Sequence, residues 1–353
     1  MKSILVTGGA GFIGSNLVLY LLANHPQYRI VNLDKLTYAG NRENLMEVED
    51  NDRYHFVQGD ICNRELVAYL FKTFDIRGVW HLAAESHVDN SIAGPEVFVK
   101  TNVHGTFTLL HAALCHWMEK PCVPAKGFED CRFLHVSTDE VYGSLGETGA
   151  FCETSPCAPS SPYSASKAAS DMLVRSYCHT YGLDVVITNC SNNYGPRQHD
   201  EKFIPTIIRS ALGGLPIPVY GNGRNVRDWL YVTDHCRGMD LVFHTGRKGE
   251  TYNIGGKNEW QNIRIAELIC GILDAKAPRP DGKSYTSQIT SVADRPGHDL
   301  RYAIDATKIE TELGWRARED FESGMAKTVE WYLLKIYQDI SGGDGIRQAG
   351  LAG

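Results

Sequence analysis

The sequence predicts an α/β protein, a doubly wound parallel sheet that carries a smaller mixed α/β lobe toward its C-terminus. Three observations predict it. Short runs rich in β-branched and aromatic residues alternate with helix-length amphipathic segments through the first half of the chain, the pattern of crossover units in a parallel sheet covered on both faces. The first run passes directly into a glycine-rich turn that opens a helix. After "NNYGP" (Asn192 to Pro196) the alternation gives way to mixed loops, short helices and Gly/Pro punctuation.

Taken in order, the strand candidates are "SILVTG", "IVNLD", "HFVQGD", "GVWHLA", "RFLHVST" and "DVVITN". Each is short and apolar, as a strand buried on both faces must be. The later stretches "GGLPIPVYGNGRNVRD", "KAPRPDGKS" and "ADRPGHD" suit a small lobe built on the carboxyl edge of the sheet, where ligands of such folds bind. The expected division is 1–195 for the sheet domain, rejoined by 228–256, with 196–335 mainly in the lobe and 336–353 as a tail. The last residues, "ISGGDGIRQAGLAG", are small and polar, which suits a flexible end.

Composition narrows the class. Over 353 residues, 35 Lys and Arg stand against 42 Asp and Glu, for a net charge of -7, and the basic residues are scattered. That offers no footprint for nucleic acid. No apolar stretch approaches the roughly 20 residues of a membrane span, and "MKSILVTGG" enters a strand without a signal-peptide layout. A cytoplasmic protein is expected. The ten cysteines contain no C-x-x-C pair, which suits free thiols in a reducing compartment. His111 and Cys115 could share a helix face, but a packing pair is the simpler reading, and no metal is expected.

The turn "VTGGAGFIGSNLVLYLL" places Gly8, Gly11 and Gly14 between the first strand and its helix. Glycines there let backbone N–H groups approach a pyrophosphate, which the helix N-terminus then stabilises. The spacing is G-x-x-G-x-x-G. Asp34 ends the next strand, where a carboxylate can accept bonds from a ribose diol. Because Asp34 would repel a 2′-phosphate, NAD is expected over NADP, with the adjacent Lys35 as the opposing signal. "GDI" (Gly59 to Ile61) and "HLAAESH" (His81 to His87) end later strands and should line the adenine and nicotinamide-ribose regions.

"PYSASKAASDML" sets Tyr163 and Lys167 four apart on one helix face. With the glycine pattern, the chain resembles the extended short-chain dehydrogenase/reductase family over roughly residues 1 to 335. Within it, "DKLTYAGN", "HLAAESHVD", "STDEVYG", "SPYSASKA", "TNCSNNYGP", "RDWLYV", "ETYNIGG" and "DRPGHDLRYAID" resemble the branch of dTDP-glucose 4,6-dehydratases. "GPRQHDEKF" (Gly195 to Phe203) departs from the "GPYHFPEKL" of many relatives, although Glu201 and Lys202 stay in place.

The resemblance implies a tightly held NAD that is regenerated in each turnover, a nucleotide-sugar substrate, and a homodimer built on helices near residues 103–118 and 163–181. For the cofactor it implies Gly8, Gly11, Phe12, Ile13 and Gly14 at the first turn, then Asp34, Lys35, Thr37 and Gly40 after the second strand. Asp60, Ile61, Leu82, Ala83, Ala84, Ser86, Thr101 and Asn192 follow, together with Tyr163 and Lys167. For the substrate it implies Ser86, His87, Thr138, Asn193, Glu201, Lys202, Phe203, Pro218, Tyr220, Asn262, Asp294, Arg295, His298 and Tyr302. Arg227, planar and permanently charged, suits a pyrophosphate.

The run "FLHVSTDEVYG" ends a core strand on two adjacent acids, Asp139 and Glu140. A 4,6-dehydration needs such a pair: once C4 is a ketone, a base must take the C5 proton and an acid must protonate the departing C6 hydroxyl. By resemblance Glu140 is the base, Asp139 the acid, and Tyr163 the base that takes the 4-hydroxyl proton, with Thr138 donating to the same oxygen. Adjacent strand residues face opposite ways, so both acids can serve one site only if the chain turns there. For Tyr163 to act as phenolate near neutrality, its ordinary value of about 10 must fall by about 2–3, roughly 3–4 kcal/mol. The alternative, an NAD-dependent UDP-sugar 4-epimerase, would use the same Tyr163 and Lys167 without an elimination catalyst. Related decarboxylases and GDP-mannose dehydratases tend to place a serine before the glutamate, where this chain has Asp139.

Overall fold

The computed structural model describes residues 1–293 and 301–342. Seven parallel strands form the main sheet: β1 (Lys2–Thr7), β2 (Tyr28–Asp34), β3 (Tyr54–Gln58), β4 (Ile76–His81), β5 (Arg132–Thr138), β6 (Val185–Cys190) and β7 (Thr251–Ile254). Their spatial order is β7-β6-β5-β4-β1-β2-β3, so the winding reverses between β1 and β4. That reversal opens a crevice at the carboxyl ends, where doubly wound sheets bind ligands. The six strand candidates all lie in this sheet. The seventh, β7, is four residues long and too short to register as a strand by its pattern.

Alternation explains how both faces are covered. Ile4 and Val6 point into one apolar cluster with Leu17, Val18 and Leu21 of α1 (Phe12–Asn24). Leu5 points into the other, with Phe71 of α2 (Arg64–Phe74), Leu109 and Trp117 of α3 (Thr106–Trp117), and Val174 of α4 (Pro162–Tyr181). Burial of one such side chain contributes about 1.5–3 kcal/mol.

After Asn192–Tyr194 the chain builds the second lobe. Its core joins Ile204 and Ile208 of α5 (Phe203–Leu212), Val219, and Trp229 of the strand Val226–Tyr231. The chain then returns to the sheet through α6 (Val232–Thr245) and β7 before α7 (Asn262–Lys276) adds Ile269 and Leu273 to the lobe core. The strand Val226–Tyr231 pairs in parallel with Asn192–Tyr194 and with Arg301–Tyr302, which fixes the lobe against the end of β6. The last helix, α8 (Phe321–Gly342), runs past residue 335, where the tail was expected to start. Met325, Val329, Tyr332 and Leu333 recur at helical spacing and are buried in the lobe core, so the first turns of this helix pack against the lobe. Residues 343–353 of that tail lie outside the described residues.

Candidate active site

A cleft of about 330 Å³ opens at the carboxyl ends of β1, β4 and β5. Each of its walls begins where a strand stops. At the first turn Gly8 has φ +72°, and a Cβ there would lie 2.7 Å from the Ala83 backbone nitrogen. A Cβ on Gly14 would lie 2.1 Å from the Gly8 carbonyl. These two glycines are therefore required by the protein's own packing. Gly11 is different: it caps α1 with an ordinary φ of -77°, and its Cβ would meet only the Gly8 carbonyl at 3.3 Å. Its missing side chain leaves room on the cleft side, at a helix N-terminus, which fits a pyrophosphate.

Asp34 ends β2 and is buried. Its Oδ2 accepts from the Ala10 amide at 2.9 Å and its Oδ1 from the Leu36 amide at 2.8 Å. Burial raises its pKa and these two N–H groups oppose the rise. Each oxygen keeps a lone pair for a ribose diol. Lys35 turns its ammonium to Asp60, at 2.9 Å, so its charge is matched within the protein instead of being held open for a 2′-phosphate. This donor set, an anion-binding turn followed by a carboxylate, fits NAD.

Deeper in the cleft, β5 stops at Thr138 and the chain enters a short 3₁₀ turn, Asp139–Tyr142. The turn required by the paired acids is therefore present. Thr138 Oγ1 accepts from the Glu140 amide and donates toward Asp139 Oδ1, both at 3.3 Å. Asp139 is only 2 % exposed, and its Oδ2 has no hydrogen-bond partner among the described residues. Burial raises its pKa well above the carboxylate range, with Glu140 and Asp228 adding to the rise. Glu140 is half-buried on the same cleft wall.

Tyr163 and Lys167 sit in the first turns of α4. Ser161 and Ser164 close a reciprocal cap there, and Pro162 takes the first helical position, all favourable helix-start features. The Lys167 ammonium donates to the Val136 carbonyl at 2.8 Å. Burial lowers its pKa to about 8, against the attraction of Asp171. Asp171, raised to about 6 by burial, accepts from the Ser137 hydroxyl at 2.8 Å. Tyr163 goes opposite to the sequence expectation: burial first, then the Glu140 carboxylate, raise its pKa well above 10. The chain alone keeps this phenol protonated, because a site sealed enough to exclude water also penalises phenolate.

The structure brings the whole cofactor set expected from the sequence, from Gly8 to Asn192, onto this cleft, with Thr138, Asp139 and Glu140 beside it. Of the substrate set, Ser86, Asn193 and Lys202 share its lining. His87 and Glu201 face each other at 3.9 Å, the latter next to Lys202. Phe203, Pro218, Tyr220, Arg227, Asn262 and Tyr302 belong to the second lobe and do not line it. Arg227 is buried with its guanidinium over the Tyr302 ring, 4.5 Å from the centroid. Asp294, Arg295 and His298 lie outside the described residues. Glu85 falls in the stretch His81 to His87 expected there, whereas Ser191, Gln198 and His199 line the cleft without having been singled out. The last two fall in the departing loop "GPRQHDEKF", and that departure was their only signal.

The remaining sequence readings find these counterparts. All ten cysteines are free thiols. Among the described residues, no helix is long and apolar enough to cross a membrane.

Comparison with known proteins agrees with this geometry. A family model described as GDP-mannose 4,6 dehydratase matches residues 5–328. A dTDP-glucose 4,6-dehydratase of Xanthomonas campestris is 56% identical over 333 residues, covering 94% of this chain and 93% of that protein. An Escherichia coli relative, dTDP-glucose 4,6-dehydratase 1, is 54% identical over 339 residues, with 94% and 92% covered. The crystal structure of a dTDP-glucose 4,6-dehydratase from Bacillus anthracis, in complex with NAD, superposes with a TM-score of 0.82 at 46% identity, covering 95% of this chain and 97% of that one. The broad family model and these near full-length relatives agree that the chain belongs to the dTDP-glucose 4,6-dehydratase family.

Proposed function

We propose that this protein converts dTDP-glucose to dTDP-4-keto-6-deoxyglucose, eliminating water, with NAD held in the cleft described above. The observation that carries the reading is the Asp139–Glu140 turn: a buried carboxyl kept protonated by its surroundings stands next to a more accessible one, on the wall that also holds Tyr163. An epimerase needs no such pair. Held by the cleft residues from Gly8 to Asn192, NAD would supply hydride transfer, taking up hydride from C4 of the sugar and giving it back at C6, so that the cofactor would end as it began.

The residues supply the proton transfers. With the cationic nicotinamide of oxidised NAD adding its charge to that of Lys167, Tyr163 would first give up its own proton to solvent and then, as phenolate, take the proton of the 4-hydroxyl, with Thr138 donating to the same oxygen. Lys167, one helical turn on, contributes positive charge that favours the phenolate. Glu140 removes the C5 proton, acidified by the 4-ketone, and Asp139 delivers its proton to the C6 hydroxyl as it leaves. The turn after β5 lets neighbouring acids play opposite roles: one is sealed in and stays neutral, the other reaches the cleft. Ser86, Asn193, Glu201 and Lys202 hold the nucleotide sugar at the cleft mouth, with Arg227 and Tyr302 supporting the lobe behind them. Residues 1–195 and 228–256 form the NAD-binding unit and 196–335 mainly the sugar-nucleotide lobe. The active protein is a cytoplasmic homodimer that feeds deoxysugar synthesis, of rhamnose or of another deoxysugar.

The test is mass spectrometry of dTDP-glucose incubated with purified protein and no added cofactor. The expected product has lost one water. With C4-deuterated substrate, its new methyl group carries the label. An unchanged mass with inverted C4 would move the reading to a 4-epimerase, and a methyl group without label would break the closed hydrogen transfer.

A further inference from the structure

A second cluster of chemistry-bearing side chains lies far from the cleft. Helix α1 starts at the glycine turn and runs back over 13 residues, about 20 Å at the rise of an α-helix, to end at His25. There it meets the C-terminal part of α6, whose Asp240 and His244, four residues apart, share one face. Among the described residues, His25, Asp240 and His244 are the one group of three metal-capable side chains whose donor atoms all lie within 4.8 Å of one another. His25 Nε2 is 2.9 Å and His244 Nδ1 3.2 Å from the same oxygen, Asp240 Oδ1. Donors on a tetrahedral zinc ion stand about 3.3–3.5 Å apart, given bonds of about 2.0–2.2 Å. The two distances to Asp240 Oδ1 therefore need to open by only a few tenths of an ångström, and the two imidazole donors lie within 4.8 Å of each other.

The atoms behind these donors point the same way. A histidine ligand usually has its other nitrogen held, and a carboxylate ligand its other oxygen. Here each of the three is held by a different neighbour. Gln27 Nε2 lies 3.4 Å from His25 Nδ1, the Tyr20 hydroxyl donates to Asp240 Oδ2 at 3.2 Å, and the Tyr28 hydroxyl lies 2.6 Å from His244 Nε2. The His244 side chain is 34% exposed, which leaves a path for an ion and for a water in the fourth position.

We propose that His25, Asp240 and His244 form a metal site for a zinc-type divalent ion, joining the end of α1 to the end of α6. Two imidazole nitrogens exclude magnesium and calcium, which take oxygen donors. Two proton shifts are needed: the proton that His25 Nε2 directs at Asp240 moves to Nδ1, where the Gln27 amide must turn its oxygen inward to accept it, and His244 changes tautomer as follows. His244 Nδ1 now faces the Asp240 carbonyl at 2.8 Å. On coordination, its proton moves to Nε2, which then donates to the Tyr28 hydroxyl. The site is structural: it ties together two helices on the same sheet face and touches no group assigned to the reaction.

The experiment is calorimetric titration of the chelator-treated protein with zinc, alongside cobalt(II) absorption, on the parent and on H25Q, H244Q and Y28F. His111 and Cys115, whose Nε2 and Sγ are 3.7 Å apart, are the obvious competing donors, so the series is made in a C115S background. The expected result is one zinc per chain, with a tetrahedral cobalt spectrum free of thiolate charge-transfer. Y28F should weaken binding by about 10–100-fold, and H25Q and H244Q by more than that range. Sugar conversion should be the same in all four proteins, which separates this proposal from the catalytic one. A parent that takes up no zinc, or H25Q and H244Q proteins that bind it as the parent does, would overturn the site and leave a hydrogen-bonded clamp in its place.

Discussion

Asp139→Asn separates the chemistry of the buried acid from its effect on the fold. Asparagine has nearly the same shape and cannot ionise, so it resembles the neutral carboxyl that the site already holds. What it loses is the proton. General acid catalysis commonly contributes about 10²–10⁴-fold, so elimination should slow by that factor, or about 2.7–5.4 kcal/mol in the barrier. Oxidation at C4 does not use this proton and should continue. In a quenched single turnover, 4-keto sugar still carrying its 6-hydroxyl should accumulate.

The stability consequence has the opposite sign. Burial raises the folded pKa of Asp139 above its unfolded value. Its contribution is thus fully present below the ordinary carboxylate pKa and is lost as pH rises toward the folded value, at about 1.4 kcal/mol per pH unit. The asparagine variant escapes that loss. Denaturant melts at about pH 5 and about pH 8 should show the variant gaining on the parent at the higher pH, within the window set by the raised pKa. A variant that eliminates water at the parental rate, or that is destabilised equally at both pH values, would refute the assignment of Asp139 as the buried neutral acid.

Tyr163→Phe should cost about 10²–10⁴-fold in C4 oxidation, whereas Glu140→Gln should still oxidise C4 while losing exchange of the C5 hydrogen with heavy water; labelled-product mass spectrometry reads both. Gly11→Ala should leave the melting temperature of the cofactor-free protein nearly unchanged, because its Cβ meets only one carbonyl at 3.3 Å, yet the protein should purify with less nicotinamide dinucleotide in an acid-quench assay. Asp171→Asn removes a buried charge that holds up the Lys167 pKa, now about 8. Lys167 should then lose its proton at lower pH, and the alkaline limb of the single-turnover pH profile should move toward neutrality.

Local pattern carried the sheet because its strands are continuous apolar runs and its first turn has a steric requirement at Gly8 and Gly14. It missed β7, since four residues of "TYNI" carry no period of their own and become a strand only through β6 beside them. The extent of α8 was hidden for a related reason: the small and polar run that begins near Ser341 suggested a tail, whereas the helix runs to Gly342. In the site, residues at strand ends were legible from their motifs. Gln198 and His199 were not, since a loop reaches the cleft through the topology of two lobes, which no spacing records. The protonation state of Tyr163 was equally out of reach, because it depends on how completely α4 and β5 exclude water.

Depth, set by backbone geometry, is what divides the labour between Asp139 and Glu140. Had β5 continued through both acids, their side chains would have pointed to opposite faces of the sheet, one into the helix layer and away from the sugar. Ending the strand at Thr138 and coiling the next four residues puts both on one wall but at different depths. Two neighbouring carboxyls in a poorly hydrated site resist carrying two negative charges, so a proton is retained, and it resides where desolvation is greater. That is Asp139, whose Oδ2 has no partner among the described residues and so has a hydrogen bond to give. The acid and the base therefore differ in role without differing in chemistry, and the same Thr138 hydroxyl that caps the turn stands beside the phenol that begins the reaction.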